Sequence, residues 1–254
     1  MQGGIDKKGE EKDETTRHAR AGRAAADIHG DAGRLRQRPR ARPRPPWPTA
    51  PKPRSRCWKR RTSTPTCFSY DYFKLAEDRS IGLERTATLI AAARQEFPNT
   101  MLLNDSNTIQ GTALADYQAL VSPVSCQTTL AVYKVMNALK YDAGTIGNHE
   151  FNYGLPFLAQ VTDNKLDVPN LPPVAQQPSC AGPSFPLVLS NVLGAKSTQP
   201  IFKPYTIVTR NLNAIGPDGK TVTVPVKVGV IGFTPPAIMS WDKRNFEGNG
   251  TRRV

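Results

Sequence analysis

His149 lies in the stretch TIGNHEFNYGL, Thr145–Leu155, between Asn148 and Glu150, and it is the only histidine beyond residue 30. These residue types suit phosphate chemistry. An asparagine amide oxygen is a neutral ligand for a divalent ion, and a histidine can donate to a phosphate oxygen and stabilise the charge that develops on it. Two metal ions about 3.5–4 Å apart would activate a hydroxide and clamp the phosphoryl oxygens. Asn-His-Glu alone does not single out that chemistry, because the same three residues fit a surface loop in which an asparagine forms a cap.

The elements that must position His149 can be read from hydrophobic spacing. LERTATLIAAARQEF places Leu83, Ala87, Ile90 and Phe97 near helical spacing, and Pro98-Asn99 ends the helix. TMLL reads as a short buried strand followed by the polar loop NDSN. CQTTLAVYKVMNALKY reads as a second helix with Val132, Val135, Met136 and Leu139 on one face, AGTI as a strand with GNHE after it, and LPFLAQVTDNK as a helix with Pro156 in its first turn. PLVLSN is a strand candidate, and FKPYTIVTRN and TVTVPVKVGVIGF form a hairpin about PDGK. The IGF that ends the second of these reads as a buried strand before the prolines of TPPAIMSWD. Strand, polar loop and helix recur, which indicates an α/β fold. In open α/β sheets ligands gather at the carboxyl ends of strands, so Asn107 in the loop after TMLL and His149 in the loop after AGTI are candidates for one site.

Composition sorts the 254 residues into two parts. The formal net charge is +13, but residues 1–67 hold 18 Lys and Arg against 7 Asp and Glu, leaving only +2 for the rest. RLRQRPRARPRPPWPTAPKPRSR has almost no aliphatic content, and the whole of residues 1–67 is expected to be a disordered Arg/Pro-rich tail. Its basicity also fits an arm for nucleic acid or anionic surfaces on a non-catalytic scaffold, but the near-neutral remainder offers no electrostatic footprint of its own. No apolar stretch is long enough to cross a membrane, and no charged n-region followed by an apolar h-region is readable at the start. Of Cys57, Cys67, Cys126 and Cys180, the last two could pair.

YDAGTIGNHEFNYG resembles the asparagine-histidine block of the 5′-nucleotidase family of calcineurin-like metallophosphoesterases. NTIQGTALADY resembles the segment that follows that family's metal-bridging aspartate. RTATLI, VYKVMNALKYDAGTIGNHEFNYGL and IGFTPPAIMSWDK are similar to the bacterial periplasmic branch with 2′,3′-cyclic-nucleotide 2′-phosphodiesterase and 3′-nucleotidase activity. The resemblance runs from about Phe68 to Gly248. It implies a four-layer αββα sandwich, here its N-terminal part in residues 68–254, that hydrolyses nucleotide phosphoesters with two divalent ions (Mn, Co, Zn or Mg). It further implies a monomer in the periplasm, with Asn148 and Asn107 at the metal positions and His149 as the catalytic stabiliser of the transition state. The family's nucleoside-binding C-terminal domain and later histidine motifs have no counterpart in these residues.

Two departures bear on the metals. Where the resemblance implies G-D-x-I-Q-G, this chain reads S-N-T-I-Q-G, so Asn107 replaces a bridging aspartate, and a neutral amide cannot offset two cations as a carboxylate does. The T-x-D-x-H motif expected about ten residues before SYDYFK is replaced by CWKRRTSTPTCF. Read one base out of register, codons for Cys57–Phe68 can spell L-E-T-T-D-L-H-T-N-V-L, which contains that motif. Residues before Phe68 are therefore expected to be translated from a displaced frame, and a second displacement is expected at EGNGTRRV. As written, the chain should bind metal poorly and turn over little substrate.

Overall fold

The computed structural model describes residues 56–60, 66–166, 179–194, 198–246 and 251–253, the first and last of these as backbone alone. Most of the tail expected to be disordered, residues 1–67, lies outside the described residues, but its end is part of the fold and not disordered. There Arg56–Arg60 forms β1, and Cys67 is buried at 4% exposure.

Short apolar strands build the parallel sheet. β4 (Thr100–Asn104) follows a tiny hairpin, β2 (Tyr70–Asp71) and β3 (Ala76–Glu77), and the helix α1 (Leu83–Glu96). β5 (Ala143–Thr145) and β6 (Leu187–Val188) complete a four-stranded sheet in the order β1-β4-β5-β6. All three pairings are parallel, with Arg56 opposite Thr100 and Arg60 opposite Asn104. The carboxyl ends of β1, β4 and β5 therefore lie along one edge of the sheet, where α/β folds place their ligands.

α1 matches its expected span, and Phe97 caps it by donating its N–H to Ala93 O at 2.9 Å. Only Leu83 of this helix is buried, and an apolar cavity of about 380 Å³ is lined by Leu89, Ile90 and Ala93 of the helix and by Met101 and Leu102 of β4. TALADYQAL, given no element from sequence, forms α2 (Ala113–Asp116) and a π turn at Tyr117–Val121.

The second expected helix is shorter than its periodicity suggested. α3 spans only Ala131–Ala138, because Leu130 is extended and Thr128 N–H closes a turn on Ser125 O at 2.9 Å. Its buried face is Val132, Tyr133 and Met136. Cys126 is disulfide-bonded to Cys180 across 54 residues. Closing a loop of that length is worth about 4 kcal/mol in the chain-entropy picture. Urea unfolding with and without dithiothreitol should show a loss of that size on reduction; equal midpoints would mean that the bond constrains nothing.

α4 (Leu155–Val161) carries Pro156 in its first turn as expected. β7 (Val192–Gly194) pairs antiparallel with β10 (Thr251–Arg253). The hairpin of β8 (Tyr205–Ile215) and β9 (Thr221–Ile231) turns at Gly219, whose φ of 78° suits glycine. One face of it is half-buried through Val224, Val226, Val228 and Val230. The other face is open, so the strand expected to be buried before the prolines ends with Ile231 56% and Phe233 62% exposed. The hairpin is fastened to the sheet by an ion pair between Arg210 and the buried Asp142, which also accepts Leu102 N–H at 2.7 Å.

Candidate active site

The loops after β4 and β5 close on one another around Glu150. This carboxylate is 1% exposed. Its Oε2 accepts the N–H of Asn107 at 3.0 Å and of Gly147 at 2.8 Å, and its Oε1 accepts the N–H of Thr108. Burial pushes the Glu150 carboxyl above its ordinary pKa, while the three backbone donors pull against that shift. Gly147 is required by the close approach: a Cβ there would stand 2.3 Å from Ser106 Oγ and 2.5 Å from Asn107 Oδ1. Ser106 and Asn107 both take positive φ, 88° and 58°. Asparagine tolerates that region, whereas serine at φ 88° occupies backbone space better suited to glycine. Asn104 seals the loop from behind, donating Nδ2 to Thr108 Oγ1 at 2.7 Å.

Asn107 and His149 do meet. Asn107 Oδ1 accepts the His149 backbone N–H at 3.4 Å. Asn148 and His149 lead into a 3-10 turn, His149–Phe151, the first turn after the β5 loop. His149 Nδ1 lies 2.8 Å from Asn152 Oδ1, three residues on. Asn152 Nδ2 in turn donates to both carboxylate oxygens of Asp242, at 2.9 and 3.0 Å. Asp242 is brought there by a fixed path. Asn191 and Thr234 exchange two hydrogen bonds at 2.8 and 3.0 Å, the short helix α5 (Ile238–Trp241) buries Ile238, and Asp242 caps that helix. From α6 (Lys243–Phe246), Asn245 donates to Asp242 Oδ1 at 3.2 Å.

Among the described residues no three His, Cys, Asp or Glu side chains gather as a metal site. Asn107 and Asn148 supply neutral amide oxygens only. A dinuclear centre needs carboxylates to offset its charge, so the residues present do not fit one.

No protein-family model matches the chain. Known proteins do. The 2′,3′-cyclic-nucleotide 2′-phosphodiesterase/3′-nucleotidase of Yersinia enterocolitica is 40% identical over 182 residues, 72% of this chain and 24% of the relative. The trifunctional nucleotide phosphoesterase YfkN of Bacillus subtilis is 42% identical over 182 residues, 70% of this chain and 11% of the relative. The crystal structure of the calcineurin-like phosphoesterase YfkN superimposes with a TM-score of 0.60 at 39% identity, over 74% of this chain and 50% of that one. The chain belongs to the calcineurin-like metallophosphoesterase family. It spans about a quarter of the length of the cyclic-nucleotide phosphodiesterases that it matches.

The family generally uses divalent metals, which makes the poverty of metal ligands in this metallophosphoesterase the main departure of its site. Asn107, Asn148 and His149 were singled out from sequence, and Asn107 and His149 come together as expected. Glu150, Asn152 and Asp242 were not singled out. The spacing of His149 and Asn152, one turn apart, was a usable signal. Asp242 stands 90 residues from its partner and carried none.

Proposed function

We propose that this chain is the N-terminal part of a metal-dependent nucleotide phosphoesterase acting on 2′,3′-cyclic nucleotides and 3′-nucleotides. In this reading Asn148, together with an aspartate restored at position 107, would hold divalent ions that supply an activated hydroxide, and His149 would meet the phosphoryl group from Nε2 and stabilise the charge that builds on it. The observation that carries the reading is the junction of the Asn107 loop with the Asn148-His149 loop around Glu150. The chain as written is impaired, because its first metal-binding segment is translated from a displaced frame. In support of that, β1 occupies the strand beside β4, and the displaced triplets that can spell Asp and His fall on the codons of Arg61–Thr64, immediately beyond its last residue, Arg60. The disulfide favours an oxidising compartment such as the periplasm. Monomeric action is part of the same proposal.

The test is a transplant. Residues 68–246 replace the corresponding segment of the Yersinia enterocolitica relative, with Asn107→Asp, and hydrolysis of 2′,3′-cyclic AMP is followed with Mn²⁺. Turnover is expected, and His149→Ala within the transplant should lower kcat by about 10²–10³-fold, as for loss of a charge-stabilising donor. Equal turnover with and without His149 contradicts its role.

A further inference from the structure

We propose that Asp242 is a positioning residue which, through Asn152, holds a proton on Nδ1 of His149 and so reserves Nε2 for the reacting group. A carboxylate only accepts hydrogen bonds, so the bidentate contact of Asp242 with Asn152 at 2.9 and 3.0 Å fixes which end of the amide faces it: the NH₂. The amide oxygen is thereby turned to His149 Nδ1, 2.8 Å away, and an amide oxygen there demands a donor. The imidazole tautomer with its proton on Nε2 alone is excluded. Neutral His149 presents a lone pair at Nε2, and it donates from that atom only as the imidazolium.

The relay is built to be rigid. Asp242 is 6% exposed and is also held by Asn245, which donates to its Oδ1 at 3.2 Å and to Phe151 O at 2.9 Å. Phe151 itself is fully buried against Phe246, with ring centroids 5.0 Å apart. Asn245 therefore ties the carboxylate to the turn that carries His149. Orientation of a histidine through the hydrogen bond made by its far nitrogen is a general device, and here an amide is interposed between ring and carboxylate. What Nε2 acts upon rests on the phosphoesterase reading; the tautomer itself does not.

The test uses the whole chain labelled with ¹⁵N-histidine. It contains three histidines, and His149→Gln identifies the signals of His149 by their disappearance. Spectra are recorded over rising pH and read on the alkaline plateau, where the His149 signals no longer move. His149 should show a protonated Nδ1 and a bare Nε2. Asp242→Ala and Asn152→Ala should each lower the ratio of the Nδ1–H to the Nε2–H form by at least about tenfold, or about 1.4 kcal/mol. Asp242→Asn preserves the volume but lets the facing amide pair invert, so it should give an intermediate ratio; it decides the matter if the alanine variant does not fold. A proton on Nε2 in the parent chain, or a ratio unmoved by the folded Asp242 variants, overturns the proposal. A correct tautomer in a transplant that hydrolyses nothing would sink the phosphoesterase reading and leave the relay standing. Turnover with the proton on Nε2 would do the reverse.

Discussion

Glu150→Leu should cost about 3–6 kcal/mol of stability, a large share of the about 5–15 kcal/mol that holds a domain folded. Three backbone N–H groups, of Asn107, Thr108 and Gly147, end on this one carboxylate inside the protein. Each buried donor left without an acceptor costs about 1–3 kcal/mol, and leucine fills the space without accepting anything. Burying the carboxylate is itself unfavourable, as the upward push on its pKa indicates, but removing one side of a satisfied buried arrangement costs more than the arrangement does. Glu150→Gln keeps one acceptor oxygen and turns an NH₂ toward the remaining donors, so it should fall between parent and leucine variant. Urea unfolding measures the loss, and hydrogen exchange locates it: the amides of Asn107, Thr108 and Gly147 should lose protection first. Parent-like stability and protection in Glu150→Leu would mean that the two loops are held together by something else.

The second large effect concerns metal. A chain with L-E-T-T-D-L-H-T-N-V-L in place of Cys57–Phe68, together with Asn107→Asp, should bind Mn²⁺ at least about 100-fold more tightly than the chain as written, a gain of about 2.7 kcal/mol. The replacement adds an aspartate and a histidine beyond β1, and Asn107→Asp adds a carboxylate at a loop that already touches His149. Hard divalent ions take carboxylate oxygens in preference to amides. At a Mn²⁺ concentration 100 times the dissociation constant the same gain should raise Tm by about 5–10 °C, while the chain as written stays within about 1 °C. Calorimetric titration and a melting curve check both numbers. Equal Mn²⁺ binding by the two chains would contradict the assignment of position 107 and of the segment after β1.

Much of the sheet was legible because its strands are short, apolar and bounded by polar loops. TMLL and AGTI became β4 and β5 almost residue for residue. The long hairpin was legible from its alternation and the PDGK turn, but not its exposure, since alternation says which face is apolar and not whether anything covers it. The start of α3 was misplaced because Gln127–Leu130 continue the helical texture, whereas the chain there must turn to let Cys126 reach Cys180. At the site, Asn107 and His149 were found because each ends a strand-loop pattern. Glu150 looked like one more polar loop residue, and only the folded chain shows it buried beneath three backbone donors. Asp242 could not be read from local pattern at all, because its meaning depends on the pairing of Asn191 with Thr234, which aims its segment.

The central claim is that a phosphoesterase domain has kept the loop bearing His149 and lost its first metal-binding segment through a displaced frame. The base sequence of the codons from Cys57 to Phe68 tests it most directly. Read one base out of register, those bases should spell Thr-Thr-Asp-Leu-His, with a base added or lost near Phe68. Bases that spell neither an acid nor a histidine there would contradict the displaced frame and leave the basic segment as authentic protein.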